Sequence, residues 1–147
     1  MSIQTGDRAP EIHSGAFQLS KLHGKTVVIF FFPKADTPGC TKESCEFQEF
    51  STKFAKVNAE IIGISPDQSE AQERFASKYG LKFILVPDPD HAIAEAYGVW
   101  KEKKNYGRTY MGIERTTVVV DPQGKIAKIF PKVKVEGHVE KVLASLA

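Results

Sequence analysis

The stretch Val27-Val28-Ile29-Phe30-Phe31-Phe32-Pro33-Lys34-Ala35-Asp36-Thr37-Pro38-Gly39-Cys40-Thr41-Lys42-Glu43-Ser44-Cys45 decides how this chain is read. Its first six residues are all apolar, β-branched or aromatic, the composition of a strand buried on both faces. Such strands lie inside α/β sheets, and ligands bind just beyond their C-terminal ends. A helix start follows. Thr37 suits an N-cap and Pro38 the first helical position, so Cys40 falls in the first turn. The N–H groups there lack helical acceptors, and the helix dipole adds partial positive charge. A thiolate at Cys40 is therefore stabilised relative to a thiol. The Thr37 hydroxyl is close enough to bond near the sulfur or to a ligand.

The face of this helix follows from its period. Cys40, Phe47, Phe50 and Phe54 fall within a stripe of roughly 80°. That stripe is the expected buried face, with Cys40 turned toward a pocket edge. Glu43 shares the face. A carboxylate beside a thiolate works against it, and on a buried face it needs a cationic partner. An arginine able to serve both the carboxylate and the sulfur is expected. Cys45 lies about 140° around the helix from Cys40 and about 7.5 Å along it. Their Cα atoms are then roughly 8 to 9 Å apart, beyond the about 7 Å that a disulfide tolerates. The spacing leaves two readings open: independent thiols, or a bond that forms when the helix unwinds.

Outward from this stretch, residues 1–24 read as irregular. Residues 16–19 form a short edge strand, and the segment as a whole covers one sheet edge. The long helix is expected over 38–57, a second strand over 59–64, and a helix over 68–79 stopped by Gly80. A third strand covers 83–86. Asp88-Pro89 caps a short helix that ends at Gly98. Residues 99–112 read as a long polar loop made basic by Lys101, Lys103, Lys104 and Arg108. This is either a solvated surface loop or a wall or docking surface, with Trp100 a packing residue. Arg115 precedes a strand at 116–120, the turn Asp121-Pro122-Gln123-Gly124 leads to a strand at 126–130, and residues 136–146 close the chain as a helix.

A chain of 147 residues is read as one domain spanning 1–147, with an ordinary globular composition. The net charge of +2 offers no nucleic-acid argument, and no stretch approaches a membrane span. Met1-Ser2-Ile3-Gln4-Thr5-Gly6-Asp7 has no apolar signal core, so the expected location is the cytoplasm. There, two cysteines read as catalytic or incidental thiols rather than as a structural bridge. His13, His23, His91 and His138 make no metal-ligand spacing with them, so no metal is expected.

The element order after the N-terminal arm is β-α-β-α-β-α-β-β-α. With a cysteine at the start of the helix after the central strand, this is the thioredoxin pattern. The expected fold is α/β and thioredoxin-like: a central mixed sheet flanked by helices, with an N-terminal extension. Thioredoxin-like oxidoreductases carry C-x-x-C at such a site. Here the spacing reads Thr37-Pro38-Gly39-Cys40, with a hydroxyl in place of the first thiol. That points to chemistry on one sulfur, with the second thiol arriving later.

The pattern Pro33-x-x-x-Thr37-x-x-Cys40 resembles the peroxiredoxin signature. The run from Phe31 to Cys45 is similar to the Q-type, or bacterioferritin-comigratory-protein, subfamily. The likeness continues through Gly63-Ile64-Ser65, Tyr79-Gly80-Leu81, Asp88-Pro89-Asp90 and Tyr97-Gly98-Val99-Trp100. It ends in Tyr106-Gly107-Arg108, Tyr110-Met111-Gly112-Ile113 and Arg115-Thr116. The resemblance implies a thiol peroxidase in which Cys40 is the peroxidatic cysteine, passing through a sulfenic acid. It implies that Thr37 and Arg115 orient the peroxide and stabilise its leaving oxygen. Pro33 would shield the sulfenate, Arg115 would be the cation Glu43 needs, and Cys45 would be the resolving cysteine after local unwinding. It further implies a thioredoxin-like reductant, no metal or organic cofactor, and a monomer that dimerises weakly if at all. Two other classes compete: a general disulfide oxidoreductase, disfavoured by the missing C-x-x-C, and a non-enzymatic binding protein that keeps only the fold.

Overall fold

The computed structural model describes residues 3–146; Met1 and Ser2, at the start of the stretch examined for a signal core, lie outside the described residues, as does Ala147. In chain order the elements are β1 (His13–Ser14), β2 (Phe17–Gln18), a 3-10 turn (Leu19–Leu22), β3 (Thr26–Phe31), α1 (Pro38–Glu49), α2 (Ser51–Lys56), β4 (Ala59–Ser65) and α3 (Ser69–Tyr79). There follow β5 (Ile84–Pro87), α4 (Ala92–Ala96), β6 (Trp100–Asn105), β7 (Arg108–Ile113), β8 (Thr116–Val120), β9 (Ile126–Phe130) and α5 (His138–Ser145).

Five strands form the central sheet in the order β5-β4-β3-β8-β9. β3 runs parallel to β4 and antiparallel to β8, so the sheet is mixed and β3 is its middle strand. The alternation expected of a doubly buried strand is present. Val27, Ile29 and Phe31 enter one core layer with Ile12, Tyr97 and Ile113, while Val28, Phe30 and Phe32 enter the other with Cys40, Phe47, Phe54, Phe75 and Val139. The second layer is held by aromatic stacking, with the rings of Phe30 and Phe47 4.5 Å apart. Gly63 makes room for it. A Cβ there would sit 2.9 Å from Phe30 Cζ and 2.7 Å from Leu85 Cδ2.

Three expectations are corrected. The long helix over 38–57 is broken at Phe50, whose φ of −92° and ψ of 5° end α1 and begin α2. Ser51 and Thr52 follow the break, and hydroxyl residues compete with the helical ladder. The edge strand over 16–19 is instead β2, which pairs with β1 in a separate hairpin. The arm nevertheless covers an edge: Asp7 and Gly6 exchange backbone bonds with Ile126 at the start of β9.

The third correction concerns the polar loop at 99–112. It is a regular antiparallel hairpin in register from Trp100–Ile113 to Asn105–Arg108. Tyr106 and Gly107 form its tip, both with positive φ, the requirement of a two-residue hairpin turn that glycine eases. Trp100 anchors its base against the core and stacks on His91, with ring centroids 3.9 Å apart. Among the described residues, no helix is long and apolar enough to cross a membrane.

Candidate active site

The buried strand β3 and the helix α1 set the position of Cys40. Phe32 closes the strand through a backbone bond to Ile64, and the chain turns at Pro33 to Thr37 before α1 begins at Pro38. This loop is held at two points. Ala35 N donates to Asp67 Oδ2 at 2.8 Å, an acceptor it shares with the Ser65 hydroxyl. Asp36, in the left-handed region at φ 61°, accepts from Lys78 Nζ and from the Tyr79 hydroxyl on α3. Asp67, Lys78 and Tyr79 belong to the loop's support; only Tyr79, in Tyr79-Gly80-Leu81, falls within a motif quoted above.

Cys40 is the third residue of α1, a free thiol with 0% of its surface exposed. Arg115, one residue before β8, reaches it from the neighbouring strand's start. Nη2 lies 3.3 Å from Cys40 Sγ, and Nη1 donates to Glu43 Oε1 at 2.6 Å. The expected arginine is therefore where the helix face requires it, forked between sulfur and carboxylate. Glu43 is wholly buried, and burial raises its carboxyl to about 7 against the pull of Arg115. Gly39 lies beneath the fork, since a Cβ on it would be 3.2 Å from Nη2.

Thr37 takes the N-cap position with extended backbone, and its carbonyl accepts from Thr41 N. Its hydroxyl makes no capping bond. It donates instead to the Lys34 carbonyl at 2.7 Å, which leaves its oxygen lone pairs as acceptors. Pro33 is half-buried after the end of β3. Cys45 is on the same unbroken helix as Cys40, free and partly buried, and burial pushes its thiol up.

Behind the site, α5 packs on α1. His138 is buried at the first position of α5, where Nε2 and Thr117 Oγ1 share a 2.7 Å hydrogen bond. Its ring meets Phe47 of α1 edge-on, and burial, then the charges of Lys141 and Arg115, lower it to about 4. Val133 N donates to the Arg115 carbonyl, and Lys42 on α1 pairs with Glu136 at 2.9 Å. Among the described residues, no group of three or more His, Cys, Asp or Glu side chains is arranged to hold a metal ion.

The sequence profile of the AhpC/TSA family matches residues 6–129. The chain belongs to the AhpC/TSA family. It is 44% identical over 151 aligned residues to Peroxiredoxin Bcp of Bacillus subtilis, covering 99% of this chain and 96% of the relative. A solved structure of Xanthomonas campestris Peroxiredoxin Q superposes with a TM-score of 0.85 at 42% identity, over 88% of this chain and 82% of that one. A structure of the Xanthomonas campestris bacterioferritin comigratory protein, concerned with alkyl peroxide reduction, has a TM-score of 0.88 at 38% identity, over 97% of each chain. Both the thioredoxin-like architecture and the Q-type resemblance read from the motifs hold. Within this family the chain is a peroxiredoxin, a thiol peroxidase that takes a peroxide as substrate and a thiol as reductant.

Proposed function

We propose that Cys40 is the sulfur that this peroxidase oxidises. The observation that carries the reading is the 3.3 Å contact of Arg115 Nη2 with Cys40 Sγ at the first turn of α1. Cation and helix start both place positive charge beside the sulfur. The Cys40 thiolate attacks the terminal oxygen of a hydroperoxide; an S–O bond forms as the O–O bond breaks. The sulfur becomes a sulfenic acid, and the alkoxide or hydroxide leaves and is protonated from solvent. Arg115 stabilises the charge as it moves to the leaving oxygen. Thr37, its own proton committed to Lys34, accepts the hydrogen of the peroxide O–H. Pro33 shields the sulfenic acid from water, and Glu43 holds the arginine.

Cys45 then resolves the sulfenic acid as an intramolecular disulfide. Both cysteines lie within α1, so the helix unwinds between them before the sulfurs meet. A dithiol protein of the thioredoxin kind reopens the bond by exchange. The enzyme acts in the cytoplasm as a monomer and reduces hydrogen peroxide and organic hydroperoxides, in keeping with the alkyl peroxide reduction named for the Xanthomonas relative.

The test is intact mass with thiol alkylation, before and after one equivalent of hydrogen peroxide. Loss of two hydrogens, with a peptide joining Cys40 to Cys45, is the expected result. A gain of one oxygen with Cys45 still alkylatable would show that the resolving thiol comes from outside. Turnover retained in Cys40→Ser would sink the assignment of Cys40.

A further inference from the structure

Glu43 and Ser44 occupy the middle of α1, between Cys40 and Cys45, and both are shut off from solvent. Their polar atoms are not all satisfied: Glu43 Oε2 and Ser44 Oγ have no hydrogen-bond partner among the described residues. Buried polar groups are paired in the great majority of cases, and an unpaired one raises the free energy of the state that buries it. Two such atoms fall within the segment that separates the sulfurs, and this segment must open for the sulfurs to bond.

We propose that Ser44 and Glu43 are positioning residues for the resolving step, their unmet polar atoms biasing α1 toward the unwound form in which Cys45 reaches oxidised Cys40. The inference rests on the Cys40–Cys45 reading above. Opposing ties hold the helix wound: Arg115 on Glu43 and on Cys40, and Lys42 on Glu136. Oxidation weakens one of them. A sulfenic acid is neutral, so the attraction between Arg115 and the Cys40 sulfur falls once the peroxide has reacted. Unwinding then hydrates Glu43 Oε2 and Ser44 Oγ together. In the unwound form the Cys45 sulfur attacks the Cys40 sulfur, an S–S bond forms, and the S–O bond breaks. The hydroxyl leaves as water with the Cys45 proton.

The bias depends on pH through Glu43. The charged and titratable groups that bear on it are Arg115 beside β8, Cys40 through that arginine, Glu46 on its own helix, and His138 on α5 within the field of Arg115. Burial holds the Glu43 carboxyl at about 7 in the wound helix, against 4.5 in its ordinary state. A raised value means that protonation favours the wound form. The pull toward unwinding therefore grows from pH 4.5 to about 7 and levels off above.

Two variants test this by rapid mixing of reduced protein with one equivalent of hydrogen peroxide, acid quenching and mass analysis. Ser44→Ala removes one unmet atom without touching Cys40, Thr37 or Arg115. Its sulfenic acid should appear at the wild-type rate, and its disulfide should form about tenfold more slowly. Glu43→Gln should flatten the pH dependence of disulfide formation below neutrality, leaving the ionisation of Cys45 as the remaining slope. Disulfide formation at wild-type rate and with the wild-type pH profile in both variants overturns the inference. A wild-type protein that consumes peroxide without joining Cys40 to Cys45 overturns the assignment of Cys45, and this inference falls with it.

Discussion

Arg115 donates to Glu43 at 2.6 Å, and the carboxylate that receives this bond has no exposure to solvent. The pair crosses from the start of β8 to the middle of α1, joining the sheet to the helix that carries both thiols. Removing Arg115 leaves Glu43 wholly buried without its match, a costly state in a protein interior, and removing Glu43 strands a partly buried arginine.

Arg115→Ala should therefore do two separable things. It should slow peroxide reduction by about 10²- to 10³-fold, as expected when a donor to the developing charge is lost. It should also destabilise the fold by about 3 kcal/mol or more, because Glu43 is stranded. Adding Glu43→Gln should return most of the stability and none of the rate. Thermal melts and stopped-flow peroxide consumption on the single and double variants check both parts.

Cys45→Ser should reduce one equivalent of peroxide and then stop with Cys40 as a sulfenic acid. Added small thiol should restart turnover. The check is peroxide consumed per protein, with and without the thiol. Undiminished thioredoxin-linked turnover would remove Cys45 from the cycle.

Gly39→Ala should uncouple stability from activity. Alanine is the better helix former, by about 1 kcal/mol at an exposed interior position and less in the first turn. Yet its Cβ would stand 3.2 Å from Arg115 Nη2, so the guanidinium that contacts the sulfur must give by a few tenths of an ångström. The variant should melt no lower than wild type and reduce peroxide at least about tenfold more slowly.

His138 and Glu43 should give opposite pH signatures. The folded-state value of His138 is depressed to about 4, so the unfolded chain takes up the proton first as pH falls. Its contribution is present above the ordinary 6.5 and is lost as pH drops toward 4. Glu43 is raised to about 7, so its contribution is present below 4.5 and is lost as pH rises through 7. The stability of wild type relative to His138→Gln should grow between pH 4 and 6.5, and relative to Glu43→Gln it should shrink between pH 4.5 and 7. Each change is on the order of 1 to 3 kcal/mol. Denaturant melts across this range measure both, and parallel curves would refute the assignments.

Much of this site was legible because its logic is local. The apolar run before Pro33, the cap at Thr37 and Pro38, and the helical period fix Cys40 and Glu43 on one buried face. Burial of a carboxylate then demands a cation, and Arg115 supplies it from just before β8, more than seventy residues away. What stayed hidden depends on contacts between distant segments. Asp67 on Ala35, His138 on Thr117 and the packing of Gly39 under Arg115 leave no periodic trace. The hairpin at Trp100–Ile113 was hidden for another reason. Its strands stand mostly in solvent, so lysines replace the alternation of apolar residues that marks a half-buried strand. Tyr106-Gly107 was the one local sign of the turn. Thr37 takes the N-cap position that its sequence context predicts, but its hydroxyl bonds the Lys34 carbonyl rather than the helix.

The kink at Phe50 gives the two halves of the helical stretch different duties. In the cycle proposed above, α1 changes length each time its sulfurs join and part, whereas α2 is pinned by the wholly buried Phe54. Because the ladder of hydrogen bonds is interrupted between them, fraying that starts at Cys40 meets a boundary at Phe50 and need not run on into the segment that walls the sheet. The break acts as an expansion joint. Under that cycle it would confine the repeated mechanical work of turnover to the first three turns of α1 and leave the hydrophobic layer beneath α2 undisturbed.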